Sequence, residues 1–181
     1  MSTYLIQMSQ KHKTMHLVKC REEYLRLRNS GDQIANVSEA RNGNSEAKRK
    51  LVQMNYSCLP AEGGFLKGAT RQSNSVGMDI DLRPTPNPSL GRGEEVKPTP
   101  NPSLGRGEEA ALVERILSLK DELGLLMLER SATKGFHMVF RRRTEMSQEE
   151  NLEWASRLVG VDYDKGAKDI TRVFYTTTAS P

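Results

Sequence analysis

Val76-Gly77-Met78-Asp79-Ile80-Asp81-Leu82 alternates apolar and acidic side chains, and its reading decides the fold. Successive side chains of a strand point to opposite faces, so Met78, Ile80 and Leu82 share one face and Asp79 and Asp81 the other. Residues 136–143 repeat the pattern: Phe136, Met138 and Phe140 share a face, while His137, Val139 and Arg141 take the opposite one. Between the two stretches, residues 109–123 carry Leu112, Val113, Ile116, Leu117, Leu119 and Leu123, a helical stripe that Gly124 ends. Residues 125–130 read as a buried strand, and the polar turn Ser131-Ala132-Thr133-Lys134-Gly135 leads from it into residues 136–143. Ser147-Gln148-Glu149-Glu150 has capping-box spacing and opens a helix through residue 158, closed by Gly160. Residues 170–178 are rich in β-formers and supply a last strand.

The order β-α-β-β-α-β predicts an α+β protein with a ferredoxin-like, RRM-like (RNA-recognition-motif) sheet over residues 76–181. In such a sheet the first and third strands are neighbours in the middle, and the two apolar trios pack under the helices. Asp79 and Asp81 would then lie beside His137 and Arg141 on an open face. Residues 1–75 form an N-terminal α/β extension. It has a strand-like run at 14–20, a helix at 21–28 that ends before Asn29-Ser30-Gly31, and a helix capped by Asn44-Ser45 that runs to about residue 55.

A chain of 181 residues makes one domain with appendages, and 36% apolar content supports a modest core. The net charge of +4 permits nucleotide or nucleic-acid partners without arguing for them. Residues 1–50 hold ten Lys or Arg against five Asp or Glu, more than the whole chain's net excess; a solvated surface is the plainer account of it and a nucleic-acid-facing edge the sharper one. No apolar run approaches the roughly 20 residues of a membrane span, and residues 1–19 lack the apolar core of a signal peptide. Cys20 and Cys58 are too few for a tetrahedral metal site and fit reduced thiols better than a disulfide framework. A membrane protein, a secreted disulfide scaffold and a zinc finger are thereby disfavoured, and a cytoplasmic location is expected.

An internal repeat interrupts the core. Residues 84–95, Pro-Thr-Pro-Asn-Pro-Ser-Leu-Gly-Arg-Gly-Glu-Glu, recur unchanged as 98–109. Six of the eight prolines fall there, so neither helix nor sheet is expected to hold, and residues 84–109 are read as a disordered insertion.

Two carboxylates two apart on a strand bring their oxygens close enough to share a divalent cation, and Mg²⁺ suits such hard donors. In the turn, the Ser131 hydroxyl, Lys134 and backbone N–H groups can cradle phosphate oxygens just before His137. Asp162-Tyr163-Asp164 supplies a further carboxylate, and Arg172 a fixed positive charge for phosphate. Neither Ser131 nor His137 has the third partner of a nucleophilic triad, which disfavours a hydrolase.

Together these stretches resemble the catalytic core of archaeo-eukaryotic-type primases, whose signatures are an hDhD strand, an sxH strand and a later hD (h, hydrophobic). Here they stand as Met78-Asp79-Ile80-Asp81, as Phe136-His137 behind the 131–135 turn, and as Tyr163-Asp164. More closely, the chain is similar to the VirE N-terminal-type, primase-like domain of replication proteins from mobile elements and prophages. Ser131 to His137, Asp164 to Arg172 and Leu59-Pro60 carry that likeness, which covers essentially everything outside residues 84–109. The resemblance implies a metal-dependent nucleotidyltransferase that takes nucleoside triphosphates on a single-stranded DNA template. Asp79, Asp81 and Asp164 (with Asp162 as second choice) would bind Mg²⁺ or Mn²⁺. His137 would contact the incoming nucleotide, with Ser131, Lys134 and Arg172 around its phosphates.

Two departures stand out. The repeat follows Asp81 by two residues, between the metal strand and its helix. The chain also stops at Pro181, where family members continue, often into a helicase-like ATPase region, and no G-x-x-x-x-G-K-[ST] loop occurs. The resemblance thus raises the expectation of a truncated, inactive product, with a separate helicase as partner. The rival expectation is a non-catalytic nucleic-acid-binding or adaptor remnant of a replication protein. An acidic sheet face repels phosphate unless a metal intervenes, which favours the metal reading over the first of these.

Overall fold

The computed structural model describes residues 3–9, 11–80, 82, 106–133 and 135–179. These form a mixed α+β structure with two antiparallel sheets and six helices. The first sheet has the order β4-β6-β5, from β4 (Ser75–Ile80), β6 (Phe136–Arg141) and β5 (Leu125–Arg130). Strands β5 and β6 form a hairpin whose turn is closed by the Ser131 N–H donating to the Gly135 carbonyl at 3.0 Å. Gly135 has φ 96°, a conformation that favours glycine.

The expected neighbours are neighbours. Asp79 lies opposite His137 in the β4–β6 ladder, and Glu129 lies opposite His137 in the β5–β6 ladder. On the other face, buried Met78, Ile80, Phe136, Met138 and Phe140 pack against three helices, α4 (Arg106–Ser118), α5 (Lys120–Leu123) and α6 (Gln148–Val159). Ile116, Leu123, Leu152, Ala155 and Val159 are the helical half of that core. Full burial of each of these side chains larger than alanine contributes about 1.5–3 kcal/mol. Helix α6 carries its full capping box, with Ser147 and Glu150 satisfying each other's backbone N–H, and Gly160 ends it in the left-handed region. Helix α4 begins at Arg106, so residues 106–109 of the second repeat copy are helical, against the expectation of disorder up to 109. Residues 84–105 lie outside the described residues.

The second sheet has the order β2-β1-β3-β7, from β1 (Tyr4–Ser9), β2 (His12–Leu17), β3 (Gln53–Asn55) and β7 (Phe174–Tyr175). The last strand therefore pairs here and not beside β4. Only two residues of the expected 170–178 run are strand, because side chains take up their neighbours' backbone groups. The Asn55 amide donates to the Ile170 and Arg172 carbonyls at 2.8 and 2.9 Å, and Arg28 Nε donates to the Thr177 carbonyl at 2.7 Å.

The sheet face bearing His137, expected from the sequence to be open, is covered. Val139, Met54, Tyr56 and Phe174 form a buried cluster that joins the two sheets across it. Gly77 permits this approach, since a Cβ there would lie 2.7 Å from Phe174 Cε2. Three shorter elements also differ from expectation. Asn29-Ser30-Gly31 ends α1 (Arg21–Arg28) but also starts α2 (Gly31–Arg41), for Ser30 accepts from the Gln33 N–H as an N-cap. Helix α3 (Ser45–Arg49) is capped by Asn44 but stops well short of residue 55. The Gln33 side chain takes the Val52 N–H at 2.9 Å and draws the chain into β3.

Candidate functional site

The row Asp79–His137–Glu129 runs across the first sheet toward a cleft of about 1120 Å³, lined from both sheets. His137 is the middle of the row and is 8% exposed. Its Nδ1 lies 2.6 Å from Glu129 Oε1, its Nε2 lies 3.9 Å from Asp79 Oδ1, and its ring meets Phe174 edge-on at 5.4 Å. Glu129 is also ion-paired with Arg28, and both side chains are buried. A carboxylate held by a guanidinium only accepts hydrogen bonds, so Nδ1 carries the proton and donates to Glu129. That tautomer leaves Nε2 to face Asp79 and the cleft.

Arg28 further donates through Nη1 to the Tyr24 hydroxyl at 3.0 Å and through Nη2 to the Thr178 carbonyl at 3.2 Å. Burial alone would lower the pKa of its guanidinium, but the Glu129 carboxylate holds it above the ordinary value. Burial pushes the Tyr56 hydroxyl well above its ordinary range, so the phenol stays neutral behind the site.

At the mouth of the row, Asp164 is fixed by its own N–H donating to the Asp79 carbonyl at 2.8 Å. Its Oδ1 accepts from the Gly166 N–H at 2.8 Å, capping a 3₁₀ turn over Lys165–Lys168, and its Oδ2 accepts from Arg172 Nη2 at 2.6 Å. The same Arg172 nitrogen is 3.7 Å from Asp79 Oδ2. Arg172 thus sits between the two carboxylates. Ser131 is buried, lines the cleft, and its hydroxyl has no hydrogen-bond partner among the described residues. An unsatisfied buried hydroxyl costs about 1–3 kcal/mol, which an incoming acceptor would relieve.

The structure therefore brings together Asp79, His137, Ser131, Asp164 and Arg172. Asp81 and Lys134 lie outside the described residues. Arg141 is not at the site: it pairs with Ser75 at the far end of β4, exposed. Asp162 is exposed and does not line the cleft, which separates it from Asp164. Among the described residues, no group of three or more His, Cys, Asp or Glu is placed to hold a metal ion. Asp79 brings one hard oxygen donor to the cleft, with Arg172 Nη2 3.7 Å from its Oδ2. Asp164 has an oxygen on each of two donors and fits the role of holding Arg172.

Glu129 and Arg28 are functional candidates that sequence reading passed over. Glu129 had a signal: a hairpin folded about Thr133 places residue 129 opposite 137. Arg28 had none, because Glu129, Thr177 and Thr178 lie about a hundred residues or more away from it in sequence. No helix among the described residues is long and apolar enough to cross a membrane. Compared with protein-family models, curated proteins and solved structures, the chain finds no match in any of the three.

Proposed function

We propose that the cleft is the nucleotide site of a primase-like nucleotidyltransferase domain, of the kind found in replication proteins of mobile elements. The observation that carries this reading is the cross-strand pairing of Asp79 with His137 beside Arg172 and a Ser131 hydroxyl that has no partner among the described residues. A carboxylate, an imidazole, a hydroxyl and a guanidinium around one cleft suit a metal-bound triphosphate. The β4-β6-β5 order, with α4 and α5 between the first two strands in sequence, supports an RRM-like core completed differently at its fourth strand.

Asp79, with Asp81, would hold Mg²⁺ or Mn²⁺, which when bound neutralises phosphate charge and activates an attacking hydroxyl. The chain's own groups do the positioning. Ser131 Oγ donates to a phosphate oxygen, His137 Nε2 meets the nucleotide, and Glu129 fixes the ring. Arg172 leaves Asp79 for phosphate while Asp164 retains it.

A second reading rests on Arg172 itself. A guanidinium between Asp79 and Asp164 already offsets part of the acids' charge, as a binding module working without metal would require. Incorporation of labelled nucleotide on a single-stranded template with Mn²⁺ separates the two. Template-dependent product that vanishes in Asp79→Ala supports the transferase. Absence of product from folded wild-type chain that still binds triphosphate without metal selects the binding module.

A further inference from the structure

Past Tyr175 the chain leaves the β3–β7 ladder and is held mainly by side chains of other elements. The Thr176 N–H donates to the Val52 carbonyl at 2.9 Å, while the Thr176 and Thr177 carbonyls accept from Gln33 Nε2 and Arg28 Nε, both at 2.7 Å. Arg28 Nη2 reaches the Thr178 carbonyl at 3.2 Å. The Asn29 side chain brackets Ala179, donating to its carbonyl and accepting from its N–H, each at 2.9 Å. Thr176 and Thr177 are buried, yet none of residues 176–179 joins the apolar clusters. A segment fastened by polar contacts with little apolar burial opens at a lower free energy than the core beneath it.

This segment touches both halves of the ion pair behind His137. Glu129 Oε2 accepts from the Thr177 N–H at 3.2 Å as well as from Arg28, while Glu129 Oε1 accepts from His137 Nδ1 at 2.6 Å. Arg28 in turn is oriented by the Thr177 and Thr178 carbonyls. Ions taken out of water regain hydration when a buried pair is uncovered, which offsets part of the cost of lifting the segment.

We propose that residues 176–179 are a strap whose docking sets the His137 ring. Docked, Thr177 and Arg28 act as positioning residues that hold Glu129 against Nδ1. Released, the strap leaves the Arg28–Glu129 pair hydrated and the imidazole free of its fixed orientation. Release would then weaken the hold of the cleft on a nucleotide, a consequence that rests on the nucleotide reading; the coupling of strap to ring does not.

Hydrogen exchange of the full chain, followed by NMR at the Thr176 and Thr177 amides and at His137 Nδ1–H, tests the proposal. In wild type these protons should exchange together, and faster than the Met138 and Val139 amides of the central strand β6. Asn29→Ala removes both bonds to Ala179 and should speed all three by roughly 5- to 100-fold, with the β6 amides unchanged. Ala179→Pro removes an N–H from the other side of that contact and should speed them by roughly 2- to 10-fold. Neither residue lines the cleft, and Ala179 lies outside α1, so a response shared by both variants travels through the strap. Wild-type Thr177 exchange as slow as that of β6, equal acceleration of β6 in the variants, or a His137 Nδ1–H rate that stays unchanged while Thr177 accelerates overturns the proposal. Triphosphate binding absent from wild-type chain whose three protons still respond together bears out the strap and overturns the nucleotide reading.

Discussion

Glu129→Ala should be the most damaging single substitution in the neighbourhood of the site. The Arg28 and Glu129 side chains are 3% and 4% exposed, so both charges have left water. Removing the carboxylate leaves the guanidinium buried with only neutral acceptors, the Thr177 and Thr178 carbonyls and the Tyr24 hydroxyl. It also takes away the acceptor of His137 Nδ1 and the oxygen that accepts from the Thr177 N–H at 3.2 Å. Breaking one side of a buried pair costs about 3–5 kcal/mol, a large share of the roughly 5–15 kcal/mol that holds a domain together. With a urea m-value of about 2 kcal/mol/M, the unfolding midpoint should fall by roughly 1.5–2.5 M. Arg28→Met/Glu129→Leu removes both charges and should lose less than the sum of the single changes, since neither charge is stranded. Urea unfolding followed by the fluorescence of Trp154 measures wild type, Glu129→Ala, Arg28→Met, Glu129→Leu and the double variant. A Glu129→Ala midpoint within about 0.5 M of wild type, or strict additivity in the double variant, would refute the reasoning.

Four further outcomes follow from the structure. In Gly77→Ala the new Cβ would lie 2.7 and 2.8 Å from Phe174 ring carbons, so overpacking should cost about 1–3 kcal/mol, and Phe174→Leu in the same chain should recover part of the melting temperature. Ser147→Ala should cost about 1 kcal/mol by chemical denaturation at neutral pH. In the same capping box, the Ser147 backbone N–H and then its side chain hold the Glu150 carboxyl below its usual range. The unfolded chain therefore takes up this proton first as pH falls. Glu150's contribution is complete above the ordinary carboxylate range and lost as pH drops through the folded value, so Glu150→Gln should flatten that acid limb. Burial, then Asp169, pushes the Cys58 thiol up to about 11 while Cys20 is exposed. A thiol reagent at about pH 8 should therefore modify Cys20 quickly and Cys58 only after unfolding.

What the sequence made legible is local. The β5–β6 hairpin, the capped helix α6 and the apolar faces of β4 and β6 follow from alternation, a turn glycine and a capping box, each contained within a few residues. Asp79 and His137 were placed on matching faces by the same alternation, and the β4–β6 register pairs them directly. Long-range choices were not legible. Residues 170–178 have strand composition whichever sheet they join, and it is Asn55, Arg28 and Val52 that tie them to the second one. The same docking covers the face that alternation alone leaves open. Ser30 shows a different ambiguity, because one Asn-Ser-Gly stretch both ends α1 and caps α2. Arg142 reads as one of three consecutive arginines, yet its buried guanidinium grips the Ser57, Ser73 and Ser75 carbonyls, and burial lowers its pKa to about 10.

Calorimetric titration of a nucleoside triphosphate, with and without Mn²⁺, tests the central claim most directly. The account predicts binding by wild-type chain that strengthens with Mn²⁺, loses its metal dependence in Asp79→Ala and weakens in His137→Ala, with all three proteins folded. Triphosphate binding that is absent from folded wild-type chain, or unchanged by both substitutions, would contradict a nucleotide site at the Asp79–His137 row.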